Sequence, residues 1–319
     1  MAQTDITNVS ARYGDIRTLQ AVLGLLDPLF FKSEIQDAVF ITIDFENGDR
    51  IISNESLETI NSQIGVAVLN TKEFFSSSLE SDDGYDSDND IRSYNFSTGT
   101  EQSRYKASRR FLFGTSVSVN KENKYEILKY RMQLMIQSET KNIFLVGHDL
   151  TSDLRAFLNL YPGFEKKYPR YKILDTQRIA GDILPRLYPG LSQSNKNYSL
   201  RRVLTFFNCP FKQLHCAGND ANYTLRILLL LAVYYTLKNG SVVTDEQEEI
   251  VKKLKKAAYA PLPVSETPFH VAAVDWRQRR SEKKMPTCLQ QQNPGRVEKV
   301  RTEGTRKREV AKLFAAWSE

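Results

Sequence analysis

Five residues of the chain have the types and the order needed to hold divalent cations beside an activated water molecule. They are four acids and one histidine: Asp44, Glu46, Asp153, His215 and Asp220. Carboxylate oxygens are the ligands that Mg²⁺ and Mn²⁺ prefer in proteins, and an imidazole can accept a proton near neutral pH. If the fold brings these residues together, the chemistry open to them is metal-assisted hydrolysis.

The first two acids lie at the end of an apolar, β-branched run, residues 38–46, which is followed by the turn residues Asn47 and Gly48. This pattern predicts a strand. Side chains two positions apart on a strand leave by the same face, so Asp44 and Glu46 would direct their carboxylates to one place. Taken alone, the pair fits better with solvated acids at the end of a strand.

Asp153 follows a second predicted strand, residues 142–146. After Gly147 the apolar period changes from that of a strand to that of a helix, which places Asp153 in the first turn or so of that helix. Ligands of open α/β sheets bind near the carboxyl ends of strands, where this turn would lie. Asp149 or Thr151 could simply cap the helix. We expect capping for Asp149 and metal binding for Asp153.

His215 precedes Asp220 by five residues, in a loop that opens a long helix containing the apolar run 227–235. This spacing can place the Asp220 carboxylate on a metal ion and the His215 imidazole beside an attacking water. A single histidine before a helix is more often a structural hydrogen-bonding group. The three acids that precede it in the chain favour the functional interpretation here.

Segments 43–46, 147–153 and 215–221 resemble the three exonuclease motifs of the DEDDh family, whose members have the ribonuclease H-like fold. The third segment reads His-Cys-Ala-Gly-Asn-Asp-Ala and is most similar to the fungal branch named for the "Great for Full DEAD-box protein activity" protein. The resemblance covers residues 36–238. It implies an α/β fold, with a mixed five-stranded sheet flanked by helices, and 3′→5′ exonuclease activity on RNA or single-stranded DNA.

The resemblance also implies a mechanism with two Mg²⁺ or Mn²⁺ ions. Asp44 would bridge the ions, whereas Glu46 and Asp220 would complete the shell of one of them. Asp153 would hold the other ion. His215 would accept a proton from the attacking water.

Two positions depart from the family pattern. Phe45 stands where many members have a smaller aliphatic residue, and Asp149 stands where many have Asn. Neither change removes a ligand, but Asp149 places a further negative charge beside the proposed site.

A second function class is a non-catalytic nucleic-acid-binding or scaffold protein that keeps the same fold. The complete set of five residues favours the enzyme, because a scaffold has no physical need for four clustered acids.

Composition predicts a protein of the cytoplasm or nucleus that does not associate with a membrane. The longest apolar run, residues 227–235, has nine residues, far fewer than the ~20 that a membrane helix needs. No signal peptide is expected at the N-terminus. Three cysteines at positions 209, 216 and 288 form neither a disulfide framework nor a metal-type pair, which is typical of a reducing compartment.

Charge and hydrophobic patterning predict three regions. Residues 1–35 would form an N-terminal helical arm, and residues 36–240 the exonuclease-like domain, with an acidic disordered insert at 76–106. Residues 251–319 contain sixteen Lys or Arg and seven Asp or Glu. We therefore expect 241–319 to be a basic, partly disordered tail that could hold a phosphate backbone. Its amphipathic helix, 306–318, would fold back on the domain or dock into a protein partner.

Overall fold

The structure is a computed structural model that describes residues 16–26, 37–52, 61–76, 90–119, 142–185, 198–238 and 244–263. All of them lie within one compact unit, residues 1–265. The predicted helix at 306–318 lies outside the described residues.

Within the described residues, one mixed sheet of six strands has the order β4–β3–β2–β1–β5–β6. The strands are β1 (Ala38–Glu46), β2 (Gln63–Asn70), β3 (Arg92–Ser97), β4 (Ser116–Ser118), β5 (Asn142–Gly147) and β6 (Lys172–Asp175). β1 and β3 both pair antiparallel with β2, whereas the β1–β5, β5–β6 and β3–β4 pairs are parallel. The predicted ribonuclease H-like α/β fold is confirmed. The sheet has one strand more than expected, because the short β4 adds to its edge.

Helices cover both faces of this sheet. They are α1 (Ile16–Val22), α2 (Gly48–Ile52), α3 (Thr71–Ser76), α4 (Glu101–Arg110), α5 (Thr151–Leu160), α6 (Phe164–Lys167), α7 (Thr176–Ile183), α8 (Leu200–Phe206), α9 (Ala217–Lys238) and α10 (Asp245–Ala258). In the described residues, none of these helices is long and apolar enough to cross a membrane.

Alternation along β1 divides the apolar core into two clusters. Phe40 belongs to the cluster that contains the buried residues of α9, whereas Ile41 and Ile43 belong to the cluster that contains those of α5. Successive side chains of a strand point to opposite faces. Asp44 and Glu46 therefore continue the face that α9 covers, at the carboxyl end of β1.

Helix α9 is buried along most of its length. Its first turn lies directly against β2, because a Cβ at Gly65 would come within 1.9 Å of the Ala217 carbonyl oxygen. Only glycine allows so close an approach. Gly65 is paired with Asp44 across the β1–β2 register, so this contact brings the start of α9 next to Asp44.

Two predicted regions need correction. Residues 90–106 of the acidic insert predicted as disordered at 76–106 contain β3 and most of α4. The strand was not predicted because it follows an acidic stretch, although its buried residues, such as Phe96, contribute to the core. The tail predicted from residue 241 likewise begins with the ordered helix α10, whose Val251 and Leu254 join the core cluster of α9. The apolar face of α10 was not recognised because the helix contains many lysines.

Candidate active site

Asp44 and Glu46 are the third-last and last residues of β1, on the face covered by α9. Both side chains are half-buried. Burial raises the pKa of Asp44 well above its ordinary value. Three other carboxylates act on the Asp44 carboxyl in the same direction: Asp220, Asp153 and Glu46. Acids from three distant segments thus share one electrostatic environment.

Asp220 lies in the first turn of α9, which β2 and β3 hold in place. The Asn95 side chain of β3 accepts a hydrogen bond from the Gly218 N–H at 3.0 Å, so a buried amide caps this helix. The Asp220 Oδ2 accepts a hydrogen bond from the backbone N–H of His215 at 2.9 Å. Its Oδ1 is buried without a hydrogen-bond partner among the described residues. A buried carboxylate oxygen left in this state is suited to a cation.

His215 lies at the rim of the site, with 77% of its side chain exposed. Its backbone is in the left-handed region, with a φ of 63°, which is uncommon for a residue other than glycine. The imidazole Nδ1 lies 3.6 Å from the Glu46 Oε1. In the part of the chain that the structure describes, single ligand atoms of Glu46, His215 and Asp220 all lie within 4.8 Å of one another. His215 therefore lies close enough to share a cation, although the sequence suggested only a proton acceptor.

Asp153 reaches the site from the opposite layer. It lies in the first turn of α5, whose apolar residues pack in the other core cluster. Its carboxylate accepts a hydrogen bond from the Phe45 backbone, which lowers its pKa, but the dominant effect is burial. Burial and neighbouring charges together raise the pKa of Asp153 to about 7.

Asp175 anchors the loop that precedes α5. Its carboxylate accepts hydrogen bonds at 3.2 Å from the backbone N–H groups of both Asp149 and Leu150. It also caps its own helix, α7, by accepting from Gln177 and Arg178. In the described residues, α5 begins without a side-chain cap of its own. The prediction that Asp149 caps α5 was wrong, because its side chain does not cap the helix and its backbone N–H is bound by Asp175 at the end of the neighbouring strand β6.

The electrostatics of the site favour bound cations. Burial raises the pKa of Asp220 to about 7, although the charges of Arg110 and Arg201 act to lower it. Burial also raises the pKa values of Asp44 and Asp153. Such shifts mean that ionised carboxylates repel one another in a poorly solvated place, and divalent cations relieve this repulsion. The residues present therefore fit a divalent metal centre.

Asp149, the departure from the family pattern, acts on Asp153. After burial, its charge is the largest cause that raises the pKa of Asp153. Its own side chain is exposed and its φ is 63°. The additional negative charge thus affects one predicted metal ligand through space.

The sequence patterns assigned no role to the residues that support the site. Gly65 and Asn95 position the start of α9, and Asp175 positions the loop before α5. Arg110 donates a hydrogen bond to the Leu214 carbonyl oxygen, just before His215. Asp175 could have been found, because it directly follows residues 171–174, whose Tyr, Ile and Leu are typical of a strand. The pattern around the other three residues carried no such signal.

Comparison with known proteins agrees with this geometry. The DEDDh_C family profile, described as "DNA polymerase III subunit epsilon-like, C-terminal domain", matches residues 39–231. A protein of Schizosaccharomyces pombe described as an uncharacterized nucleolar protein is 33% identical over 129 residues, which cover 40% of this chain and 49% of the relative. The chain spans about half the length of this curated relative. Since the profile covers more than half of the chain and contains all five residues of the site, the chain belongs to the DEDDh family of DNA polymerase III epsilon-like domains.

Proposed function

We propose that the protein is a 3′→5′ exonuclease that trims RNA or single-stranded DNA with two divalent cations, Mg²⁺ or Mn²⁺. One observation carries the proposal. Carboxylates from β1, α5 and α9 all reach Asp44 with their charges, in addition to the larger effect of its burial, and one buried oxygen of Asp220 has no hydrogen-bond partner among the described residues. A fold has no structural use for such a cluster unless something positive binds it.

The four carboxylates would hold the cations. The bound ions would make a water molecule nucleophilic near neutral pH and stabilise the charge on the leaving oxygen. Burial is the main cause that raises the pKa of Asp44, and the charges of the other three carboxylates all reach this group and raise it further. This position suits the bridging role, with Glu46 and Asp220 on one side and Asp153 on the other.

His215 would accept the proton of the attacking water. Its backbone N–H is held by Asp220, while the imidazole extends to the solvent-exposed rim, 3.6 Å from Glu46. A base in this position can exchange its proton with bulk water after each cycle. General-base assistance is typically worth 10²–10⁴-fold in rate.

Two arginines would help the scissile phosphate to approach this acidic site. Burial is the main influence on the pKa of Asp220, but the charges of Arg110 and Arg201 also reach this carboxylate and lower its pKa. Both guanidinium groups therefore lie near enough to attract a phosphate toward the same position.

The proposal is tested with isosteric variants of the acids. Asp44→Asn and Asp220→Asn in the full chain should abolish Mg²⁺- or Mn²⁺-dependent trimming of 5′-labelled RNA and DNA oligonucleotides, while thermal unfolding stays cooperative. Asp182→Asn, an exposed acid on α7, serves as the matched control and should trim like the unmodified protein. A wild-type protein that trims neither nucleic acid with either metal, or an Asp44→Asn variant that keeps full activity, would overturn the proposal.

We also propose a nuclear location and membership in the fungal branch of the family. The Schizosaccharomyces pombe relative is described as nucleolar, and the third motif supports the branch. A fluorescent fusion expressed in a fungal cell tests the location, and exclusion from the nucleus would contradict it.

A further inference from the structure

Helix α4 is a basic segment beside the candidate active site, and the proposed function leaves its role unassigned. Its ten residues include a single acid, Glu101, and four basic residues: Arg104, Lys106, Arg109 and Arg110. Tyr105 lies among them and is 51% exposed. Among the described residues, the other large apolar side chain that is exposed is Leu237, at 38%.

The Tyr105 ring is restrained rather than loosely extended into water. The Arg109 guanidinium lies over it, with the Cζ atom 5.8 Å from the ring centroid. The Arg109 Nη1 also lies 3.5 Å from the Tyr105 hydroxyl. A cation over an aromatic face at this distance is attracted to the ring. The ring is thus already ordered, so a later stacking contact loses less side-chain entropy.

The C-terminal end of α4 is fixed to the residues that flank His215 and Asp220. Arg110 donates a hydrogen bond to the Leu214 carbonyl oxygen. The Asn219 side chain donates to the Arg110 carbonyl oxygen at 2.8 Å and accepts from the Leu112 N–H at 2.9 Å. The helix therefore extends from the site itself, in a fixed orientation.

Two basic residues, Arg104 and Lys106, flank Tyr105 along α4. An aromatic ring between cationic side chains is a combination that binds single-stranded nucleic acid, because the ring stacks on bases and the cations attract phosphates.

We propose that α4 binds the single-stranded nucleic acid whose 3′ end occupies the candidate active site. Tyr105 stacks on a base upstream of the scissile phosphate, and Arg104 and Lys106 contact phosphates. This inference rests on the proposed function. Stacking requires an unpaired base, so the surface favours single strands over duplexes, and it is independent of sequence because every base has a flat face.

The test is equilibrium binding of labelled single-stranded RNA and DNA to the full chain in EDTA, where cation-dependent cleavage does not occur. Tyr105→Ala should weaken binding by roughly fivefold to a hundredfold, the range for loss of one stacked base, whereas Tyr105→Trp should keep it. Arg104→Ala and Lys106→Ala should each reduce the slope of log affinity against log salt by about 0.7. The loss caused by Tyr105→Ala should increase with oligonucleotide length from a dinucleotide upward.

Leu237→Ala and Lys166→Ala are the matched controls, because they alter an exposed apolar residue and an exposed lysine elsewhere. Both should bind like the unmodified protein. Wild-type affinity in Tyr105→Ala would overturn the inference, as would equal loss of duplex and single-strand binding. Trimming by the wild type together with unaltered binding by Tyr105→Ala would reject this surface and leave the proposed function standing. Binding that depends on Tyr105, in a wild-type protein that does not trim, would support this surface and reject the proposed function.

Discussion

Asp153 and Asp220 both lie in the first turn of a helix, but the two helix starts are held in different ways. The start of α9 is pressed onto the sheet at Gly65 and capped by the buried Asn95. The start of α5 is held by Asp175, which is half-buried at the end of β6. The first arrangement depends on close packing and the second on hydrogen bonds at the surface. Changes near Asp220 should therefore cost folding stability, whereas changes near Asp153 should mainly affect activity.

The largest effect is expected from Gly65→Ala. The added Cβ would come within 1.9 Å of the Ala217 carbonyl oxygen, and backbone atoms cannot move aside as a flexible side chain can. Overpacking of this kind costs about 1–3 kcal/mol or more. Urea unfolding should show this loss, together with loss of trimming. Gly181→Ala is the control, since its Cβ would meet Tyr198 at an ordinary 3.7 Å; equal stability of the two variants would contradict the tight contact.

The next largest effect is a difference in folding stability between variants at the two helix starts. Asn95→Ala leaves the buried Gly218 N–H without its acceptor, which should cost about 1–3 kcal/mol of folding free energy. Asp175→Ala removes the acceptor of four N–H groups whose hydrogen bonds are exposed or half-buried, where water can replace it, so its cost should be nearer the ~1 kcal/mol of a lost cap. Its trimming rate should nonetheless fall, since the loop before Asp153 is released. A larger stability loss for Asp175→Ala than for Asn95→Ala would reverse the comparison.

The acid cluster should make stability depend on pH when no metal is bound. Burial and neighbouring charges raise the pKa of Asp153 and that of Asp220 to about 7 in the folded protein, whereas an unfolded Asp titrates near 3.9. Between these values the folded state keeps protons that the unfolded state has released. Stability should therefore fall as pH rises from about 4 through about 7.

Melting temperatures in EDTA at several pH values measure this effect, and a loss of 1 kcal/mol corresponds to about 2–4 °C. Asp220→Asn should flatten the dependence over the same window. Mg²⁺ should raise the melting temperature more at pH 8 than at pH 5. A metal-free protein whose stability does not fall through this window, or falls no more steeply than that of Asp220→Asn, would contradict the assignment.

The smallest effect concerns Asp149. Burial is the main cause of the raised pKa of Asp153, and the charge of Asp149 is the next. Asp149→Asn removes that charge, so Asp153 should ionise at lower pH. The acid limb of the pH–rate profile should move down by a fraction of a pH unit, with little change in the plateau rate. Movement toward higher pH would show that Asp149 acts in some other way.

Local patterns were enough to predict where the acids lie within their elements. The alternation of residues 38–46 predicted that Asp44 and Glu46 share a face, and the structure has them on the face covered by α9. The change of period after Gly147 predicted Asp153 in the first turn of a helix, as observed. These features depend only on the periodicity of a single strand or helix, which can be read from the sequence.

Local patterns could not predict the residues that position the site, because their roles depend on contacts between distant segments. Gly65 matters only because Ala217 packs on it, and Asn95 only because Gly218 lies beside it. The strand β3 was missed because a polar, acidic context masks its buried residues. Asp149 was assigned a capping role, but its backbone N–H instead donates to Asp175, 26 residues later in the chain.

If the four carboxylates form one site for two divalent cations, the protein should bind two Mn²⁺ ions. Binding is measured from the electron paramagnetic resonance of free Mn²⁺ in the presence of a nucleoside 5′-monophosphate. We expect two bound ions for the full chain and for Asp182→Asn, and loss of both in Asp44→Asn, since burial and the charges of the other three acids all act on the Asp44 carboxyl. Equal Mn²⁺ binding by Asp44→Asn and the unmodified protein would show that the acids do not form this site.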